Sequence, residues 1–263
     1  MIDQLNTLTV VLLCVAALFA GWIDAVVGGG GLIQLPAVLI GLPVSTPIAT
    51  ISGTNKLSSV AGTAMAAGNY LRKVRIDWPI TLIVAATAFA GSSVGAHLIK
   101  FMPRSIFEPV IVVVVAGIAW YTWRRPQLGQ ETRVKHTGAA GFLLAAALGV
   151  VCGFYDGIVG PGTGVFLVIG FVALLGYGFL PATAMSKVVN LGTNIAALIV
   201  LGTSGHILWA LGGCMAACNL VGGAVGSSMA MRYGNRFIRN IFLIAVVIIE
   251  IKLIYDTVVH LLG

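Results

Sequence analysis

The sequence predicts an all-α polytopic membrane protein. It reads as two inverted-topology repeats of about five hydrophobic segments each, the second segment of each repeat being a half-helix or re-entrant piece. Three observations predict this: apolar runs that repeatedly reach bilayer length, motifs that recur at a nearly fixed offset, and basic residues gathered in one set of linkers. Of the 263 residues, 59% are hydrophobic and 9% charged, and the mean hydropathy is +1.03. A soluble domain carries roughly 25% charged residues, so this chain lacks the polar surface that water requires. The net charge of +7 could suggest a nucleic-acid partner. Its basic residues lie between apolar spans rather than on one face, which fits membrane topology and no nucleic acid.

Apolar runs between charged or Pro/Gly breaks fall at 8–27, 31–41, 46–69, 79–98, 104–123, 138–159, 163–176, 180–202, 206–230 and 236–260. Eight approach the ~20 residues needed to cross a hydrocarbon core about 30 Å thick. The segments 31–41 and 163–176 do not, reaching only about 16–21 Å at 1.5 Å per residue. The first run follows Asp3 with no basic residue before it, so it reads as a retained span rather than a signal peptide. Cys14, Cys152, Cys214 and Cys218 all lie within apolar segments and read as small buried side chains, with no metal expected.

Residue n aligns with residue n+131 or n+132 across the chain. Gly21-Trp22-Ile23-Asp24-Ala25-Val26-Val27-Gly28 meets Gly153-Phe154-Tyr155-Asp156-Gly157-Ile158-Val159-Gly160, and Asn55-Lys56-Leu57-Ser58-Ser59 meets Ser186-Lys187-Val188-Val189-Asn190. Ile76-Asp77-Trp78 meets Ile207-Leu208-Trp209, and Gly91-Ser92-Ser93-Val94-Gly95 meets Gly222-Gly223-Ala224-Val225-Gly226. The expected units are a first repeat at 1–123, a cytoplasmic linker at 124–137 and a second repeat at 138–263. With five crossings per half, the linkers 70–77, 124–137 and 231–239 share one side. They carry Arg72, Lys73, Arg75, Arg124, Arg125, Arg133, Lys135, Arg232, Arg236 and Arg239, against Lys100 and Arg104 opposite. That asymmetry marks the cytoplasmic face and puts both termini outside. Trp78, Trp120, Trp123 and Trp209 sit at span ends, as an interfacial aromatic belt would.

Three constellations carry chemistry. The first is a glycine-rich break after each opening span, Gly28-Gly29-Gly30-Gly31 and Gly160-Pro161-Gly162-Thr163-Gly164. Unwound backbone at membrane depth survives only where protein or water satisfies it. A helix starting after such a break aims free N–H groups and partial positive charge at it, which suits an anion. The structural alternative is that these glycines only permit close helix crossing. The second is Lys56 in one half and Lys187 in the other, each within an apolar span. Lys56, Ser59 and Thr63 share a helical face, as do Lys187, Asn190 and Asn194, with Asn55 and Ser186 alongside. A charge at that depth faces a partner or an aqueous cavity, unless it snorkels to an interface. The third is Asp24 and Asp156, each four residues before its break. They read as partners of the lysines, one acid and one base per half, bracing the breaks or taking up a proton.

These motifs resemble the sulfite exporter TauE/SafE family of membrane permeases. The resemblance rests on the Gly21–Gly31 run, Thr54-Asn55-Lys56-Leu57, Gly153-Phe154-Tyr155-Asp156-Gly157 with Gly160-Pro161-Gly162, and Lys187-Val188-Val189-Asn190 with Thr193-Asn194. It implies a bacterial inner-membrane exporter of small anions such as sulfite or organosulfonates like sulfoacetate. The expected binding residues are Gly28, Gly29, Gly30, Gly31, Asn55, Lys56, Ser59, Gly160, Gly162, Thr163, Lys187, Asn190 and Asn194. Asp24 and Asp156 couple protons or brace, and the site works by alternating access. A passive anion channel and a non-transporting structural or sensory protein are the alternatives. The chain carries no Walker A, HExxH or GxSxG motif, so neither an enzyme nor a cofactor is expected. The expected partners are lipid and a small anion, with a homodimer compatible with the sequence. Glu250 and Lys252 stand two apart in the last span and do not face each other.

Overall fold

The computed structural model describes residues 6–103, 106–107 and 138–262. The predicted segment 104–123, apart from Ile106 and Phe107, and the linker 124–137 lie outside the described residues, as do the side chains of Glu250 and Lys252. Among the described residues the structure is helical, with no strand. Helix α1, Thr7–Val27, starts where Asn6 accepts a hydrogen bond from the Leu8 amide at 3.1 Å. It ends at Gly28, whose φ of 88° only glycine adopts without strain and whose N–H closes on the Asp24 carbonyl at 2.8 Å. Helix α2, Gly31–Gly41, is the short piece predicted at 31–41, and α3, Ile48–Leu71, begins just after Pro47. Helix α4, Trp78–Leu98, is capped by Asp77 and followed by one 3₁₀ turn, Ile99–Phe101.

Helix α5 spans Gly138–Ile158, and α6, Thr163–Ile169, continues as a π-helical turn over Gly170–Leu174. Helix α7 runs over Phe179–Thr203. Helix α8, Trp209–Leu262, is broken at Gly234 (φ 70°, ψ −162°), which separates the segments predicted at 206–230 and 236–260. The Asp77 carboxylate that caps α4 also accepts a 2.6 Å hydrogen bond from the Tyr177 hydroxyl, tying the start of α4 to the turn before α7. Burial, then the hydrogen bond to Asp77 and the Asp77 charge, push the Tyr177 hydroxyl well above the usual tyrosine range, so it stays a donor.

Among the described residues, five stretches are long and apolar enough to cross a membrane: Thr7–Val27, Trp78–Phe101, Gly138–Ile158, Phe179–Thr203 and Trp209–Gly234. The chain is a multi-pass membrane protein. Helix α3 has the length, at 24 residues, but is more polar. Its burial explains why that is tolerated. Ser52, Thr54, Asn55, Lys56, Ser58 and Thr63 are all buried inside the bundle, where protein rather than lipid is their solvent. Helices α1 and α5 instead expose Leu12, Phe19, Leu143 and Val151. Trp78 and Trp209, both exposed, open α4 and α8 at span ends.

Packing is led by two tight helix pairs, α1 with α8 and α4 with α5. Helix α3 lies against α8 and α7, and α7 also lies against α4. Small residues make the close pairs possible, because without a hydrophobic drive in lipid the association depends on backbone proximity and dispersion. A Cβ on Gly153 would sit 2.1 Å from the Ala88 carbonyl oxygen, and one on Gly222 would sit 2.0 Å from that of Leu18. Gly153→Leu is therefore expected to push α4 and α5 apart and cost at least the ~1–3 kcal/mol typical of overpacking. A thermal melt of the detergent-purified protein checks it. Gly192→Ala, whose Cβ would meet nothing within 4 Å, serves as the control and should melt no lower than wild type.

Candidate functional site

The two glycine breaks meet. Helix α1 stops at Gly28 and α5 stops at Ile158, after which Gly160 and Gly162 take positive φ angles of 87° and 83°. A Cβ on Gly28 would lie 2.4 Å from the Gly164 carbonyl carbon, so the two backbones touch. The second break is braced by its own neighbours: the Tyr155 hydroxyl donates to the Pro161 carbonyl at 2.5 Å, and the Thr163 hydroxyl to the Gly160 carbonyl at 2.8 Å. Near the first break, the buried Tyr70 hydroxyl donates to the Ala25 carbonyl at 2.8 Å. Close crossing and unwound backbone are thus both properties of these glycines. The glycines of each break also accept from the first turn of the following helix: Ile33 and Gln34 donate to the Gly30 carbonyl, and Phe166 to the Gly162 carbonyl.

Both lysines are buried, Lys56 at 2% exposure and Lys187 at 0%, which rules out snorkelling. Lys56 Nζ meets Asp156 Oδ2 at 2.6 Å, and Lys187 Nζ meets Asp24 Oδ2 at 2.9 Å. The pairing of acids with bases was expected within each half; it runs between halves instead. Alignment of a repeat on itself reveals which residues correspond, not which face each other across an interface. Thr63 also donates to Asp24 Oδ2, at 3.3 Å, while the Ser92 hydroxyl lies 3.4 Å from Asp156 Oδ2 and 2.8 Å from the Thr193 carbonyl. Two charges removed from water each need such partners, since an unpaired one in this setting costs several kcal/mol.

Between the ion pairs and the breaks lies a small cavity of about 20 Å³, room for about one or two waters. Gly28, Gly31, Asn55, Lys56, Ser59, Gly160, Gly162, Thr163, Asn190 and Asn194 line it, with Asp24 and Asp156. Thr63 and Gly164 complete the wall. Three expected residues lie off it. Gly30 backs onto the Ala20 carbonyl, where a Cβ would come within 2.4 Å, and Gly29 faces Ile23, Leu32 and Val165. Lys187 is wholly buried and meets the cavity through Asp24. Thr63 shared the predicted face of Lys56, and Gly164 the predicted glycine run, so both were within reach of the sequence.

Other contributors carried weaker signals. Ser92 stands in an aligned glycine motif, and Tyr155 in the Asp156 motif. Gln34 is the one polar residue of the short segment 31–41, and Asn219 the one amide of 206–230. Asn219 Nδ2 lies 2.6 Å from Gln34 Oε1 and 3.1 Å from the Ala17 carbonyl, and Gln34 Nε2 reaches the Asn55 carbonyl at 3.5 Å. This buried chain links α8, α1, α2 and α3. Asn55 Oδ1 itself is buried with no hydrogen-bond partner among the described residues. Among the described residues, no three His, Cys, Asp or Glu side chains come together as a metal site.

Comparison with known proteins adds to this geometry. The family model described as "Sulfite exporter TauE/SafE" matches residues 13–253. The chain is 37% identical to the probable membrane transporter protein ORF9 of Sinorhizobium sp, covering 93% of this chain and 92% of that one. It is 34% identical to a probable membrane transporter protein of Haemophilus influenzae, covering 95% of each. With the probable membrane transporter protein YfcA of Escherichia coli strain K12 it shares 32% identity, over 94% of this chain and 91% of that one. No solved structure matches the chain significantly.

The crossed pairing makes a specific energetic statement. Lys56→Met should destabilise the protein by about 3–5 kcal/mol by orphaning Asp156. Lys56→Met combined with Asp156→Leu should cost less than the sum of the two single changes. Lys56→Met combined with Asp24→Leu should be additive or worse, because those residues are not partners. Denaturation of the three single variants, the two double variants and wild type in mixed micelles measures the coupling.

Proposed function

The chain belongs to the sulfite exporter TauE/SafE family, and from that premise we propose that it is a secondary transporter exporting small sulfur-containing oxyanions, sulfite or organosulfonates such as sulfoacetate, by alternating access around the cavity between its halves. The observation that carries this reading is the cavity itself, lined by both glycine breaks and by side chains from α1, α3, α5 and α7. A site shared between two halves can be opened to either side by rocking one half on the other.

The duplication supports the same reading. Under the 131–132 residue offset, α1 corresponds to α5, α3 to α7, and α4 to the first part of α8. Each contact then recurs with the halves exchanged: α1 on α8 answers α5 on α4, and α3 on α8 answers α7 on α4. The ion pairs exchange likewise, Lys56–Asp156 answering Lys187–Asp24. Together with the one-sided basic linkers, this favours inverted repeats over a simple tandem array. The substrate reading follows the wall chemistry. Asn55, Ser59, Asn190 and Asn194 offer hydrogen-bonding groups beside the Lys56 ammonium and the positive end of α2, which starts at Gly31 on the wall, a setting suited to oxyanion oxygens. The cavity is narrow, so an oxyanion enters only when the halves part.

Purified protein reconstituted in liposomes is expected to carry sulfite, sulfoacetate or methanesulfonate faster than protein-free vesicles, and to accumulate it against its gradient when an ion gradient is imposed. Asn194→Leu should cut the flux by at least about tenfold, equivalent to ~1.4 kcal/mol of lost binding, with little change in melting temperature. Equilibration without accumulation would instead mark a passive channel, and no flux of any of the three anions would overturn the reading.

A further inference from the structure

We propose that this transporter moves a proton together with its anion, with Asp24 as the proton carrier and Lys56 as the cation that receives the anion; the assignment rests on the transport reading above. It begins with the charge count at the cavity. The ionised side chains facing Asp24 are Lys187 of α7, at 2.9 Å, and, around the same cavity, Lys56 of α3 and Asp156 of α5. Among the described residues, α2 and α6 carry no charged side chain, and α8 carries none between Trp209 and Met231. The other titratable group close to Asp24 is the hydroxyl of Tyr70 on α3, which is engaged as a donor to the Ala25 carbonyl. Two ammonium groups and two carboxylates sum to zero.

A monovalent anion entering alone would leave one uncompensated negative charge in a space with almost no water. A proton entering alone would neutralise one carboxylate and leave its lysine unpaired. Both together restore neutrality. Each therefore raises the affinity for the other, and the coupling is reciprocal by thermodynamic necessity. The proton comes from bulk water and forms an O–H bond on a carboxylate oxygen. The anion, received beside Lys56, restores the negative charge that the proton cancels in the four-charge cluster, and no covalent bond of the anion changes.

The two pairs are not equivalent, and this assigns the roles. Asp156 and Lys56 are both sealed, their side chains 2% and 3% exposed. In the other pair Lys187 is at 0% but the Asp24 side chain is 15% exposed. Among the described residues the donors to each carboxylate converge on Oδ2, Lys187 Nζ and Thr63 Oγ1 at Asp24 and Lys56 Nζ and Ser92 Oγ at Asp156. Exposure is what separates them: Asp24 is the more open carboxylate on the wall. On the cation side the asymmetry reverses: Lys56 lines the cavity, with its Nζ 3.4 Å from where a Gly160 Cβ would lie, and Lys187 does not line it.

The test uses full-length protein in liposomes loaded with a pH-sensitive dye. Methanesulfonate is the probe, because this strong-acid anion brings no proton of its own. Dissipating a methanesulfonate gradient should move about one proton in the same direction per anion, and a potassium diffusion potential should leave the flux unchanged, since the pair carries no net charge. Asp24→Asn should reduce the proton movement at least about tenfold, and Asp24→Glu, which keeps a carboxylate, should retain it. Methanesulfonate flux that follows the membrane potential and moves no protons overturns the coupling while leaving the transport reading intact. Undiminished proton movement in Asp24→Asn overturns the assignment to Asp24. Absence of methanesulfonate flux in wild type overturns the coupling, and absence of sulfite and sulfoacetate flux as well overturns the transport reading with it.

Discussion

An ionised side chain cannot be left alone in hydrocarbon. In this protein the constraint is met by giving each of four such side chains a partner from the other half of the chain: Lys56 holds Asp156 and Lys187 holds Asp24, all buried or nearly so. The rest of the arrangement depends on that exchange. Each aspartate stands four residues before a glycine break, so an ion pair fixes the end of α1 or α5 to a lysine-bearing helix. Each lysine sits on α3 or α7, long helices with most of their residues buried. A purely apolar core would hold the bundle at least as tightly, because buried ion pairs seldom add net stability. Their retention is better explained by what they provide at the cavity: charge that is present but neutralised and can be re-paired.

The glycine breaks serve the same end by a different route. Gly28 and Gly164 bring two backbones into contact, which positions the starts of α2 and α6 at one place. Gly31 of α2 and Thr163 of α6 border a space that the polar faces of α3 and α7 also line. The two halves meet without being copies: Tyr155 braces the second break through the Pro161 carbonyl, whereas the first half relies on the Gln34–Asn219 chain. On the transport reading an anion there would meet unlike walls, and the two carboxylates are themselves unequally exposed.

Much of this was legible in the sequence, for identifiable reasons. Span lengths, the two short helices and the breaks follow from hydropathy and glycine placement, because lipid imposes helix on every exposed backbone. Most of the cavity wall was also legible, since Lys56, Ser59 and Thr63 share a face by the period of the helix alone. The pairing across halves was not. Nor was the withdrawal of Lys187, Gly29 and Gly30 from the wall, which depends on which side of a crossing each backbone presents. Gln34 and Asn219 were missed because a single amide in an apolar run has no pattern to announce it; only the three-dimensional contact gives it meaning. The kink at Gly234 had a better signal, lying between two predicted spans.

Sided access to Ser59, on the cavity wall, measures the central claim most directly. In a variant lacking the four native cysteines and carrying Ser59→Cys, a membrane-impermeant thiol reagent would be added to one face of oriented vesicles, then to the other. The account predicts labelling from each face and slower labelling from both when sulfoacetate is present. Labelling from one face only under every condition, or from neither, would contradict a site opened alternately between two halves.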